Sequence, residues 1–291
     1  MDPGLTYHQW MPGMPPDALS SLIFSGHLVL ISDQPAIDAL CHRARQILSD
    51  VFDVADAFEA ATILTPDQFR KAAAAARKAV RTDAEIHRKW SDTLRLVGYH
   101  DEEVYCDRMS LRVVPGRDEA RSRFYRPLPP HRDTWGSGIL AQVNWWLPLY
   151  PLAADRTMWI WPQAFSAPVA NTSADWDYDE LVRKKTPDYP LLPEATEQPS
   201  SDGLPVLIEP GTLLAFSGAH MHASTHTSRL TRFSLDTRSV WMPDVTANRG
   251  APDVDHSGRP ANWAMFERGS FAADPRPEPA PRAEAREPDG A

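Results

Sequence analysis

Apolar positions follow two different periods along this chain. In the first third the spacing is helical. "QPAIDALCHRARQILSDVF" has a proline near its start and apolar residues three and four apart, which predicts a helix. A second helix is predicted from Asp67 to about Leu96, opened by Pro66 and filled with alanine and arginine. Before them, "HLVLIS" (27–32) reads as a short strand. After residue 103 the period shortens to two. "VYCDRMSLRVVP", "ILAQVNWWLPLY", "TMWIWP", "LPVLIE", "GTLLAFSG" and "TRFSLDTRSV" read as successive strands separated by turn residues. Strands this short and this dense predict a mainly β fold with flanking helices.

The division expected is an N-terminal helical layer over 1–103, a β core over 104–250 and a C-terminal extension over 251–291. An insert rich in proline and aspartate (163–203) interrupts the core. From about 274 the extension has no apolar period, and disorder is expected.

Composition narrows the function classes. With 39 acidic against 30 basic side chains the formal net charge is −9, which argues against a nucleic-acid binder. The 42% hydrophobic content is enough for a sizeable core. No apolar run approaches the ~20 residues of a membrane span, and no signal peptide is read at the start. The two cysteines, Cys41 and Cys106, have no metal-pair spacing. A cytoplasmic protein acting on a small molecule is expected; oligomeric state is not read from the sequence.

The candidate chemistry begins at "PLPPHRDTWGSG" (127–138). His131 and Asp133 are two apart, and on an extended segment they would share one face. Alone the pair is a weak signal. "FSGAHMHASTHTSRLTRFS" then supplies further imidazoles. Two histidines and one carboxylate make a facial set that leaves positions open on an octahedral ion, which suits Fe(II). His220, His222 and His226 compete for the distal place; His222 is preferred, with His220 in reserve. Arg232 offers a planar fork to a carboxylate, and Ser234 adds a hydroxyl on the same strand face. Gln142 and Asn144, also period two, are candidates for contacting a co-substrate, or else pair with the backbone. Trp135, next to the turn, and Arg117 and Arg121, on the charged loop before it, are candidate substrate contacts.

The order His131-x-Asp133, His222, Arg232-x-Ser234 resembles the Fe(II)/2-oxoglutarate-dependent oxygenases, in particular the phytanoyl-CoA-dioxygenase-like branch. The resemblance covers roughly residues 104–240. It implies a double-stranded β-helix core of the jelly-roll or cupin kind. It further implies Fe(II), 2-oxoglutarate as co-substrate and O₂, with His131, Asp133 and His222 as metal ligands and Arg232 holding the far carboxylate. The implied activity is a dioxygenase that hydroxylates or otherwise oxidises a small molecule, in a natural-product setting. The presence of Asp133 argues against halogenation. A non-catalytic jelly-roll binding protein, or a zinc hydrolase on the same ligands, is the alternative.

Overall fold

The computed structural model describes residues 5–116, 118–122, 124–184, 189–199, 202–259 and 261–269. Arg117 and the expected disordered tail lie outside these. In chain order the first part holds β1 (Tyr7–Gln9), α1 (Pro16–Phe24), β2 (Leu28–Ile31), α2 (Pro35–Phe52), α3 (Ala60–Ile63), α4 (Pro66–Thr82) and α5 (Ala84–Leu96). The second part holds β3 (Val104–Cys106), β4 (Ser110–Val114), α6 (Thr134–Ser137), β5 (Gln142–Pro148), β6 (Arg156–Ile160), β7 (Leu204–Pro205), β8 (Leu213–Ser217), β9 (His222–His226), β10 (Arg232–Trp241), α7 (Met242–Thr246) and β11 (Glu267–Arg268).

An eight-stranded sheet runs β1-β2-β8-β5-β10-β3-β11, with β4 also paired to β10. A three-stranded sheet runs β7-β6-β9. Apart from the parallel β1–β2 pair, the pairings are antiparallel. This is compatible with the jelly roll. Residues 1–103 supply more than helices, because β1 and β2 extend the large sheet through β8.

The single helix expected over 67–96 is two helices. Thr65 and Gln68 form a reciprocal cap, with Pro66 in the first turn, so α4 starts as the sequence predicts. It ends at Asp83, whose backbone is extended (ψ 114°) and whose carboxylate accepts from the Ile86 amide to cap α5. Arg43 of α2 binds the same carboxylate at 2.6 Å, fixing the break against the neighbouring helix. On α4, Phe69, Ala73, Ala76 and Val80 form the buried face.

The principal core lies between these helices and the large sheet. Trp145 of β5 points into it, edge-on to Trp90 of α5 (ring centroids 5.6 Å apart), and its indole nitrogen donates to Ser239 Oγ at 2.8 Å. This is the outward orientation expected for Trp145, opposite to Asn144 and Trp146.

Candidate metal centre

His131 and Asp133 do not converge by the strand geometry expected. Asp133 has helical backbone (φ −68°, ψ −28°) and stands at the entry of α6, which Gly138 closes at φ +62°. The meeting point is made by a bridge instead. His131 and His222 exchange backbone hydrogen bonds of 3.0 and 2.9 Å, setting the imidazoles side by side with centroids 4.1 Å apart. The chain then turns, and Asp133 swings back toward both.

One ligand atom each from His131, Asp133 and His222 lies within 4.8 Å of the others. His131 Nε2 is 3.9 Å from Asp133 Oδ1, and His222 Nε2 is 3.8 Å from Asp133 Oδ2. The other ring nitrogens are occupied by carbonyls. His131 Nδ1 lies 2.8 Å from Pro129 O, and His222 Nδ1 lies 2.9 Å from His220 O. Donation from both Nδ1 atoms leaves both Nε2 lone pairs facing the acid, the arrangement of metal-binding imidazoles.

His220 is not part of this set. Its two ring nitrogens contact Ser217 O (3.2 Å) and Gly26 O (3.1 Å), so it ties the loop before β9 to the loop before β2. His226 ends β9 in sequence, remote from the bridge.

Electrostatics agrees with a metal-binding state. Burial, then the neighbouring His222, pushes His131 down to about 3, so it is neutral near pH 7. Burial opposes ionisation of Asp133, yet Arg238, His222 and His131 hold its carboxyl below the ordinary value. Arg238 Nη1 is 3.8 Å from Asp133 Oδ1, while the rest of its guanidinium grips Asp107. Asn144 donates to Asp133 Oδ2 at 2.6 Å and accepts from Gln142 at 2.7 Å. Gln142 and Asn144 therefore form a relay that orients Asp133.

The depressed histidines fix a pH dependence. His220 is also pushed down, to about 4, mainly by burial. In the unfolded chain both imidazoles take up protons near pH 6.5. The folded protein does not until much lower pH, so stability is present above 6.5 and is lost as pH falls toward 4. Urea unfolding of the metal-free protein should show a loss on the order of a few kcal/mol between pH 7 and pH 4.5. His220→Asn should flatten that slope.

Arg132, between the two ligands, locks the turn. Its guanidinium is 1% exposed and donates to the carbonyls of Ala219 and Ala164 and, at 3.0 Å, to Asp255 Oδ2. Asp255 also accepts from Trp135 Nε1 (2.7 Å) and the Val169 amide (3.0 Å). Trp135 is thus a buried part of the scaffold: the first turn of α6 directs its indole nitrogen toward Asp255, and the residue lines a smaller adjoining pocket with Trp176 and Tyr178 and not the cavity onto which the three ligands open. Asp255→Ala strands a buried guanidinium and should cost about 3–5 kcal/mol in urea unfolding; Asp255→Asn, which keeps acceptors, should cost less.

A cavity of about 420 Å³ opens onto the three ligands. Trp146, Trp176, Tyr178 and Leu192 give it apolar and aromatic walls, the last three from the 163–203 insert. Arg232 also lines it, 3% exposed. One of its nitrogens donates to Ser224 Oγ at 2.8 Å, whereas Nε and Nη1 are buried without a partner. Burial, then Arg112, pulls Arg232 down to about 9. Ser234 Oγ is buried and without a partner as well, though it does not line the cavity. Arg121, a candidate substrate contact, does not line this cavity and pairs with Asp118 at 2.6 Å.

The sequence reading missed Arg132, Arg238, Asp107 and Tyr178. Arg238 was within reach: alternation from Arg232 through Ser234 and Asp236 puts it on the same face of β10. Tyr178 carries no such signal, because the insert has no period.

No family model matches the chain, and no curated protein matches it. Solved structures similar to it include EvdO2 from Micromonospora carbonacea var. aurantiaca, also solved with 2-oxoglutarate. That match has 12% identity, a TM-score of 0.36 and coverage of 56% of this chain; the chain spans 62% of EvdO2's length. EctD from S. alaskensis, solved with 2-oxoglutarate and 5-hydroxyectoine, has 14% identity, a TM-score of 0.42 and coverage of 92% and 90% of the two chains. With 14% identity, coverage of 87% and 96% and a TM-score of 0.40, the chain is also similar to SnoK, a non-heme alpha-ketoglutarate-dependent carbocyclase from nogalamycin biosynthesis.

Proposed function

We propose that the protein is an Fe(II)- and 2-oxoglutarate-dependent dioxygenase that hydroxylates a small molecule. One juxtaposition carries the reading. A two-histidine, one-carboxylate set opens onto the same cavity as a buried guanidinium that has two unpartnered nitrogens. The residues fit the group. His131, Asp133 and His222 would hold the ion, and a facial set of this kind suits ferrous iron. Arg232 would take the far carboxylate of the co-substrate through its unpartnered N–H groups, with Ser234 on the same strand face.

Bound Fe(II) supplies the redox chemistry that couples oxidative decarboxylation of 2-oxoglutarate, to succinate and CO₂, to oxidation of a substrate C–H bond. The protein's part is placement. The carbonyls of Pro129 and His220 keep both Nε2 atoms free, Arg238 and Asn144 keep Asp133 ionised and oriented, and the insert walls the cavity. Asp133 would supply a ligand where a halogenating enzyme needs room for a halide, which favours hydroxylation over halogenation. A zinc hydrolase could use the same three ligands, but Arg232 would then remain a buried charge with no task.

Anaerobic titration with Fe(II) and then 2-oxoglutarate tests the reading. One ion per chain and a visible charge-transfer band on 2-oxoglutarate addition are expected. A protein that takes up zinc and never binds 2-oxoglutarate would refute it. A natural-product substrate remains part of the proposal, to be tested by succinate release against candidate compounds.

A further inference from the structure

Six arginines and three aspartates line the described part of the cavity. Most are already matched. Arg112 pairs with Asp236 at 2.9 Å, Arg238 with Asp107, and Arg132 with Asp255. On the reading proposed above, the ferrous ion, the Asp133 carboxylate, the 2-oxoglutarate dianion and Arg232 cancel one another. Two positive charges are left over, Arg77 and Arg81, and neither has a carboxylate partner among the described residues. They lie one helical turn apart on α4, so their side chains leave the same face.

Arg77 is half-buried and Arg81 is exposed, and both line the cavity. The Arg77 guanidinium sits over the rings of Phe124 and Tyr125, 5.5 and 5.6 Å from their centroids. Those rings hold its plane without neutralising it. Arg81 acts on the Tyr178 phenol, which burial and Asp107 raise and Arg238 and Arg81 lower. Arg81 and Tyr178 of the insert line the same cavity. Trp146, Trp176 and Leu192 give the same cavity apolar surface.

We propose that the primary substrate is an organic anion, an apolar or aromatic body bearing a carboxylate, whose charged end is clamped by Arg77 and Arg81 of α4 while the body lies against Trp146 and Trp176. This rests on the 2-oxoglutarate reading for the placement of Arg232. The clamp fixes which end of the substrate points outward, and so which end reaches the metal ligands. Two arginine forks in one cavity favour a planar carboxylate acceptor over a neutral polar group.

The test is a binding measurement without turnover. Wild-type protein is loaded anaerobically with Fe(II) and saturating 2-oxoglutarate, which occupies Arg232. Calorimetric titrations then compare phenylacetate, 3-phenylpropionate and octanoate with their neutral amides. At least one acid should outbind its amide roughly tenfold, equal to about 1.4 kcal/mol. Arg77→Gln/Arg81→Gln should erase that preference while leaving 2-oxoglutarate affinity within about twofold, which also reports that the variant is folded. The clamp is refuted if no acid outbinds its amide, or if the preference survives in the double variant. Failure of the 2-oxoglutarate reading shows separately, as no 2-oxoglutarate binding by the wild type.

Discussion

His131→Ala is expected to lose iron binding and 2-oxoglutarate turnover together. Groups that merely orient a metal-bound histidine are commonly worth about 10–100-fold in affinity or activity; removal of the ligand should exceed that range. Iron stoichiometry by metal analysis and succinate release by chromatography are the two readouts. His222→Ala should behave in the same way. His220→Asn is the discriminating control, because His220 is already engaged with Gly26 and Ser217 carbonyls. It should keep the ion and lose only stability. If His220→Asn lost iron while His222→Ala kept it, the ligand assignment would be wrong.

Arg232→Met is expected to have effects of opposite sign on binding and on stability. Truncating one partner of a buried charge pair costs about 2–5 kcal/mol, so 2-oxoglutarate binding should weaken roughly 30-fold or more. In the absence of 2-oxoglutarate, however, Arg232 is a buried cation with two empty donors. Replacing it with an apolar side chain of similar length removes an uncompensated charge. The Tm of the 2-oxoglutarate-free protein should stay level or rise. Arg232→Lys keeps the charge and loses the fork, and should fall between in affinity. A fall in Tm with unchanged 2-oxoglutarate affinity would assign Arg232 to the scaffold.

How far the sequence spoke depended on the range of each interaction. The strands were legible because a sheet with one buried face forces alternation, as in β10 with Arg232, Ser234, Asp236 and Arg238 on one side. The start of α4 was legible because a capping box and Pro66 are local. Its end was not. Asp83 reads as one more polar helix residue until Arg43, from a different helix, is placed against its carboxylate. Trp135 shows the same limit. Adjacency to Asp133 suggested a substrate contact, and nothing local announces that its indole donates to Asp255, far along the chain.

The sequence by itself determined the chemistry on offer: two imidazoles, a carboxylate and a guanidinium, in an order and on elements that a β core could bring together. Tertiary structure decided which of them meet. The His131–His222 bridge, and not an extended His-x-Asp segment, brings the ligands together. The loop contacts of His220 take it out of contention, and α4 turns Arg77 and Arg81 onto the cavity. Residue types and periods are properties of neighbours along the chain, so they survive in a string of letters. Which polar group finds a partner in a buried site depends on contacts between distant segments, and those exist only once the chain has folded.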